Sequence, residues 1–503
     1  MDDALASRKE KILNWLKGKH NILLILILFL AFFIRINIYS YTTNQPLWWD
    51  EADYTYTAKV WGSDIDTRDL WYYRRAFFWP LTIAAMFKFG LGETGARFLT
   101  LLFSMGTVWI TYLIGKTLFN KNAGLLAAFG MAVARLPLFL SGRLLTELPA
   151  TFLVVAGYYL FIRGYMKKEG NHLIYLSAFF LAFGIMIRFA TSLAMIPLLV
   201  YVILNEKFSF LKNKHLWIFA FIILFILSPF LVAYKTNFPS GTGDFFSHYT
   251  NIGRGEDQPK ANLMGVPGIW GFIKDIRFNM TWWWFAFFII GCAIFIDMFV
   301  GIDMITKKDS VRMSMFILLW ILVPLIFHGM LSEYVDERYL LWSYPALFAI
   351  FGMGMMKIYD LIKRYNLYIA IAFIAAILIL GAIPQMKAGN AVLKEKRFSY
   401  QAVMESGLWL KEVTNPGDVI MSQSRPQHGY YAERDVYSYD EYNETQFDEI
   451  IKQYNASYFV VSRFEFHPQW AYSYGVNKNL SVANAWFQDE ARTQPLLVIY
   501  NLN

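Results

Sequence analysis

Acidic and basic side chains stand in four otherwise apolar or aromatic stretches of this 503-residue chain. These are QPLWWDEADYTY (45–56) with Asp50 and Glu51, SGRLLTELPA (141–150) with Arg143 and Glu147, IMIRFATS (185–192) with Arg188, and FHGMLSEYVDERYLLWSYP (327–345) with His328, Glu333, Asp336, Glu337 and Arg338. A guanidinium group can hold phosphate oxygens through paired hydrogen bonds. A carboxylate beside it can accept a proton or bind sugar hydroxyls. Together, these residue types fit a sugar that is linked through phosphate to a long lipid.

Composition excludes whole classes of protein. Hydrophobic residues make up 56% of the chain and charged residues 17%, whereas soluble globular chains carry about 25% charged residues. This balance excludes a soluble protein and a disordered one. The single cysteine, Cys292, excludes a disulfide scaffold and a cysteine-ligated zinc or iron–sulfur site. The net charge of +8 does not indicate a nucleic-acid partner, because the basic residues stand between apolar runs.

The apolar runs predict a polytopic α-helical membrane protein with about eleven transmembrane helices. Each span needs about 20 apolar residues. The predicted spans are 21–39, 99–118, 123–140, 148–163, 173–188, 190–204, 216–234, 281–300, 313–330, 339–357 and 367–384. The first is not read as a cleaved signal peptide, because Arg35 and a tyrosine-rich stretch follow it without a small-residue cleavage pattern.

Lysine and arginine indicate how the spans are oriented. Nineteen of the 46 basic residues lie before the first span or in alternate short loops after it, which is typical of the cytoplasmic side. Segment 1–20 is therefore predicted to be cytoplasmic and, with an odd number of spans, the C-terminus to lie outside. All four charged stretches then fall at the outer boundary of the bilayer, where ionisable residues are functional candidates.

Residues 21–384 form the predicted membrane domain, with long outer loops at 40–98 and 235–280. The first loop contains WPLTIAAMFKFG (79–90), whose apolar spacing predicts a helix lying in the interface plane. The second is polar and rich in glycine and proline, so it is either a functional loop that orders on a ligand or a simple connector.

After Pro384 the composition becomes polar, and residues 385–503 form the predicted extracytoplasmic domain. Short β-rich runs (418–422, 457–462 and 495–500) alternate with helical patterns (399–413 and 445–454). This alternation predicts a small α/β domain with a mainly parallel sheet.

Each charged stretch also has an interpretation that needs no ligand. Trp48-Trp49-Asp50 could be an aromatic belt with an interfacial acid. The other structural interpretations are an i,i+4 pair of Arg143 with Glu147, snorkelling of Arg188, neutralisation of Arg338 by Asp336 or Glu337, and a hydrogen-bonded His328.

Three short motifs, taken in order, resemble the GT-C superfamily of polyprenyl-phosphate-sugar glycosyltransferases. They are Asp50-Glu51 just past the first span, Glu147 at the head of the fourth, and Arg338-Tyr339-Leu340-Leu341 followed by Pro345. The chain is most similar to the branch of dolichyl-phosphate-mannose protein mannosyltransferases and aminoarabinose lipid A transferases. The resemblance covers about residues 20–384.

The resemblance implies an inverting transfer of one sugar from a polyprenyl phosphate to a protein, glycan or lipid acceptor. Asp50 would be the general base, and Glu51, Glu147, Arg338 and Tyr339 would bind substrate or carrier phosphate. Physical reasoning adds Arg143 and Arg188 to the phosphate site. Some relatives hold a divalent metal ion, for which Glu51, His248 and His328 are the candidates here. By analogy the chain would lie in an archaeal or bacterial plasma membrane.

Two departures limit what the resemblance implies. Position 147 is Glu where the family commonly has Asp, and the loop at 235–280 is too short for the β-trefoil of eukaryotic protein mannosyltransferases. Three rivals are open: an oligosaccharyltransferase, a lipid or sugar transporter, and a receptor or scaffold. An oligosaccharyltransferase should carry a WWDYG motif in its C-terminal domain, whereas the only WWD of this chain is in the first outer loop. A transporter should place its ionisable residues near mid-membrane, and a receptor or scaffold has no need of the ordered acids.

Overall fold

The structure, a computed structural model, describes residues 17–63, 65, 67, 75–237, 264–300 and 308–502. Most of the N-terminal segment and most of the predicted loop at 235–280, including His248, lie outside the described residues.

The described chain is mostly helical. Its helices are α1 (Lys19–Thr42), α2 (Trp49–Gly62), α3 (Phe78–Lys88), α4 (Gly92–Leu118), α5 (Lys121–Val133), α6 (Arg135–Leu140), α7 (Glu147–Phe161), α8 (Asn171–Ile187), α9 (Met195–Glu206), α10 (Lys214–Asn237), α11 (Val266–Val300), α12 (Lys308–Leu331), α13 (Tyr344–Lys363), α14 (Leu367–Lys396), α15 (Gln401–Val413), α16 (Arg425–Ala432), α17 (Glu444–Tyr454) and α18 (Gln469–Asn477). Short 3₁₀ segments precede α9 and α13, at Phe189–Ala194 and Glu337–Ser343.

The membrane prediction is confirmed. Among the described residues, nine helices are long and apolar enough to span a bilayer, or ten if α5 and α6, which meet at a bend of 54°, form one span. Helix α8 is a shorter apolar helix. Each of the eleven predicted spans coincides with one of these helices. The side on which each terminus lies stays a prediction.

Two helices extend beyond their predicted limits. Helix α11 begins at Val266, but it is kinked at Thr281, whose φ of 58° and ψ of 167° are not helical, so the predicted start near 281 coincides with the kink. Helix α14 continues past Pro384 to Lys396, so the predicted domain boundary at 384 falls inside a helix. Proline is tolerated within membrane helices because neighbouring groups satisfy the freed backbone.

Close packing of small residues brings the first helices together. Helix α4 packs on α5 and α7, and α13 packs on α5 and α11. Gly115 of α4 lies against Gly124 of α5, and a methyl group at Gly115 would stand 2.8 Å from the Cα atom of Gly124. Such contacts are the usual means by which membrane helices approach closely.

The segment after α1 joins the membrane helices to the C-terminal domain. Helix α3, predicted from residues 79–90, packs on α2, and its Trp79 indole donates to the carbonyl of Leu144 at 3.0 Å. Helix α2 also packs on α16 of the C-terminal domain. There Lys59 lies 2.7 Å from Glu433, and the hydroxyl of Tyr431 accepts from the backbone N–H of Leu47.

The C-terminal domain is an α/β domain with a five-stranded sheet. Its strands are β1 (Val419–Ser422), β2 (Asp435–Tyr437), β3 (Ala456–Ser462), β4 (Val482–Phe487) and β5 (Pro495–Asn501), in the order β2-β1-β3-β5-β4. The three predicted strands are present, but the mainly parallel sheet is wrong. β1 pairs in parallel with β2 and β3, whereas β5 pairs antiparallel with β3 and β4. No helix follows β4, so the chain returns directly as an antiparallel neighbour.

Candidate active site

A cavity of about 960 Å³ opens between the membrane helices and the C-terminal domain. Its lower wall comes from the start of α2, the start of α7, the turn after α8 and the segment between α12 and α13. Its upper wall comes from the C-terminal domain. Of the predicted site residues, those that line it are Asp50, Glu147, Arg188, His328, Arg338 and Tyr339.

Asp50 presents its carboxylate to this cavity from the first turn of α2. Its side chain is 43% exposed and accepts a hydrogen bond from Arg75 Nη2 at 2.9 Å. Arg75 also lies 2.9 Å from Asp53, one turn further along α2. Arg338 Nη1 is 3.9 Å from the other oxygen of Asp50. The predicted base is therefore open to a ligand and flanked by two guanidinium groups.

Glu51 and Arg143 form a buried ion pair behind the cavity. Their side chains are 0% and 1% exposed, and Arg143 Nη1 lies 3.1 Å from Glu51 Oε2. The carboxylate of Glu51 also accepts from the backbone N–H groups of Leu144 and Trp48, at 2.6 and 2.9 Å. Neither Glu51 nor Arg143 lines the cavity. The pair ties the start of α2 to the segment that carries Glu147, an arrangement that suits positioning of the site.

Glu147 joins two arginines from distant parts of the chain. Its Oε1 atom accepts from Arg188 Nη1 at 2.9 Å and lies 3.7 Å from Arg338 Nη1. Its Oε2 atom is buried and has no hydrogen-bond partner. Since both guanidinium groups approach one carboxylate oxygen, a single phosphate group could contact both. Neither a pair of Glu147 with Arg143 nor snorkelling of Arg188 describes this arrangement.

Asp336 holds Arg338 in place. Its Oδ2 atom accepts from Arg338 Nη2 at 2.6 Å and from Nε at 2.8 Å. Burial favours the neutral acid, but these hydrogen bonds outweigh it and lower the pKa of Asp336. The pair occupies Nε and Nη2 and leaves Nη1 directed toward Asp50 and Glu147.

Comparisons with known proteins concern the fold in which this cavity lies. A family model described as dolichyl-phosphate-mannose-protein mannosyltransferase matches residues 75–232. The structure is similar to that of ArnT from Cupriavidus metallidurans bound to undecaprenyl phosphate, with 12% identity, 95% of this chain and 97% of that chain covered, and a TM-score of 0.66. No curated protein sequence matches the chain.

A second structural similarity is to the oligosaccharyltransferase of Archaeoglobus fulgidus. The identity is 13%, the match covers 89% of this chain and 70% of that chain, and the TM-score is 0.66. The archaeal oligosaccharyltransferase AglB from Archaeoglobus fulgidus, in complex with an inhibitory peptide and a dolichol-phosphate, matches with a TM-score of 0.62 at 12% identity, over 89% of this chain and 70% of that chain. The chain has a GT-C fold. The resemblance predicted from three short motifs is confirmed.

Within this GT-C fold, Tyr339 and His328 form one side of the cavity. Their rings lie 4.8 Å apart, and the Arg188 guanidinium lies 5.6 Å from the Tyr339 ring. His328 Nδ1 contacts the Ser332 hydroxyl at 3.3 Å, whereas its Nε2 atom is buried without a partner. The interpretation of His328 as a fully hydrogen-bonded residue therefore accounts for only one ring nitrogen.

The metal-site candidates do not come together in the described part of the chain. No group of three histidine, cysteine or acidic residues suited to a metal ion occurs there. Glu51 already accepts from two backbone N–H groups and from Arg143. Because His248 lies outside the described residues, the possible divalent metal ion stays a prediction.

Sequence reasoning missed Arg75, whereas it expected the C-terminal domain to pack over the site or to contact the acceptor. Arg75 stands in WYYRRAFFW (71–79), and a basic pair in a predicted outer loop runs against the usual cytoplasmic bias of such residues. That bias was an available signal.

Arg135, a buried arginine without a predicted role, pairs with Glu337, which also accepts from Asn279 at 2.7 Å. This second pair leaves Asp336 as the partner of Arg338.

Proposed function

We propose that this protein is an inverting glycosyltransferase that moves a single sugar from a polyprenyl-phosphate carrier to an acceptor on the outer side of the membrane. The observation that carries the proposal is the convergence of Arg188 and Arg338 on Glu147, beside the cavity-facing carboxylate of Asp50. Cations for a phosphate and a base for an acceptor thus share one cavity.

The chemistry follows from these positions. Asp50 takes a proton from the acceptor as the acceptor atom attacks the anomeric carbon of the sugar. The bond from that carbon to the phosphate oxygen breaks, and its electron pair leaves on the lipid phosphate. Arg188 and Arg338 neutralise the charge that develops there. One displacement inverts the anomeric configuration, and no nucleotide site is needed.

The comparisons support a lipid-phosphate donor. The similar structures hold undecaprenyl phosphate in ArnT and a dolichol-phosphate in AglB. The matched family model is described by a dolichyl-phosphate-mannose donor. We therefore propose a polyprenyl-phosphate hexose or pentose as donor and the plasma membrane as location, with the sugar left open among mannose, glucose and aminoarabinose.

Transfer of a whole lipid-linked glycan to asparagine is the alternative that shares the fold. The C-terminal domain lacks the WWDYG motif expected for that reaction. A transporter is disfavoured because the described charges converge at one end of the helices, where a folded domain covers them.

The test measures transfer of radiolabelled mannose, glucose or aminoarabinose from its polyprenyl phosphate to an acceptor. The purified protein is assayed in lipid nanodiscs. Asp50→Asn should lower transfer by about 100- to 10,000-fold, the usual contribution of a general base. Asp360→Asn is the matched control, since Asp360 is exposed at the far end of α13. Unchanged transfer by a folded Asp50→Asn variant would refute the base. Mass spectrometry of surface glycans with and without the gene would identify sugar and acceptor.

A further inference from the structure

The C-terminal domain contributes a polar and aromatic wall to the cavity, which the proposed transfer does not use. We call it the upper wall and define it by Gln423, Tyr437, Tyr454, Glu465 and Phe466, all of which line the cavity. These residues come from the segment after β1, from β2, from α17 and from the segment after β3, so the fold brings four separate parts of the domain to one surface.

Two polar atoms of the upper wall are buried and lack partners. Gln423 is 9% exposed; its Oε1 atom accepts from the Ser438 hydroxyl at 2.6 Å, whereas its Nε2 atom makes no hydrogen bond. The Oε1 atom of Glu465 is also buried without a partner. Buried polar groups are nearly always satisfied, so two such atoms on one wall point to a ligand with hydroxyl groups.

Aromatic rings line the same wall. The rings of Tyr437 and Tyr454 stack at 3.9 Å with an angle of 22° between their planes. Phe466 is 83% exposed at the same wall. A large exposed aromatic next to fixed polar groups suits a ligand with both an apolar face and hydroxyl groups, and a pyranose ring has both.

We propose that the upper wall is a carbohydrate subsite for the acceptor, so that the acceptor is a glycan rather than an unmodified peptide. This inference rests on the proposed function. The arginines that fit the donor phosphate lie on the lower wall, and the sugar attached to that phosphate must reach Asp50 from there. A sugar on the upper wall approaches from the other side, as the attacking group in an inverting displacement must.

Saturation-transfer NMR on the full chain in nanodiscs tests the proposal, because maltoside detergents would themselves present sugars. The probes are the methyl glycosides of mannose, glucose, galactose and N-acetylglucosamine, together with a serine- and threonine-rich peptide. At least one glycoside should bind. Gln423→Met and Glu465→Gln should each weaken glycoside binding about tenfold, the loss expected for one hydrogen bond. Glu412→Gln, an exposed change in the same domain, should have no effect.

Binding of undecaprenyl phosphate, measured on the same samples, separates the two proposals. Retained lipid binding with no glycoside binding, or with glycoside binding that both wall variants leave unchanged, overturns the carbohydrate subsite alone. The carbohydrate subsite is also overturned if the peptide binds to the unchanged protein and this binding is lost in the wall variants. Displacement of the glycoside by sugar-loaded donor, but not by undecaprenyl phosphate, would assign the wall to the donor's sugar. Failure of the lipid to bind would instead count against the proposed function.

Discussion

Glu51→Gln should destabilise the protein, because Glu51 is the neutralising partner of a buried arginine. The variant leaves Arg143, 1% exposed, without its anion, and removing one partner of a buried ion pair costs about 3–5 kcal/mol. The glutamine offers one oxygen where Glu51 serves the N–H groups of Leu144 and Trp48 through two. We therefore expect the free energy of unfolding to fall by about 3–5 kcal/mol, measured by SDS titration in mixed micelles.

A double variant separates positioning from substrate binding. Adding Arg143→Met to Glu51→Gln removes the stranded cation, so the two changes together should cost less stability than the sum of each alone. Transfer activity should fall in both single variants, because the pair ties Asp50 to the segment that carries Glu147. If Glu51→Gln instead keeps full stability and only raises the donor KM, Glu51 binds substrate as the sequence predicts, and the positioning argument is wrong.

Two further predictions concern the two walls of the cavity. Arg338→Met should slow single-turnover sugar transfer on the order of 100-fold, as loss of one charge-stabilising donor typically does. Arg338→Lys should recover part of that rate. Equal rates in the unchanged protein and both variants would exclude Arg338 from the phosphate site. Burial raises the pKa of Glu465 to about 7, so its charged form appears above that pH. Since a carboxylate accepts stronger hydrogen bonds than its neutral acid, glycoside affinity measured by NMR should rise between about pH 6 and pH 8, and a profile that Glu465→Gln leaves unchanged would contradict the role of Glu465.

The membrane architecture could be predicted because its signal is local. A run of about 20 apolar residues has few alternatives to a spanning helix, and every predicted span coincides with an apolar helix. The limits were less predictable, since Pro384 stops an apolar count without stopping a helix, and a helical segment from Val266 precedes the kink at Thr281. Strand direction in the C-terminal sheet depends on which connections carry helices, and that information is spread over β3, β4 and β5.

The cavity could be predicted only in part, because residue type does not say which way a side chain faces. Asp50 and Glu51 are adjacent and chemically alike, yet one is 43% exposed to the cavity and the other is fully buried. Tertiary contacts decide this, since Glu51 meets a backbone N–H from 93 residues away. The individual residues of the upper wall could not be foreseen, because Gln423 and Glu465 carry no pattern that ties them to a membrane site.

The ion pairs around Arg338 argue that donor binds before acceptor. Its Nε and Nη2 atoms are held by Asp336, while Nη1 lies 3.7 Å from Glu147 and 3.9 Å from Asp50, beyond hydrogen-bonding distance of both. A phosphate oxygen can therefore accept a hydrogen bond from Nη1 of Arg338 without breaking the pair of Arg338 with Asp336. The same step draws a cation away from Asp50 and leaves that carboxylate freer to accept a proton. We expect initial-rate kinetics to show ordered addition, with the lipid phosphate product competing against donor and not against acceptor. Competition of that product with acceptor would mean that Asp50 is equally available in the donor-free protein, and that the long contacts of Nη1 have no part in the reaction.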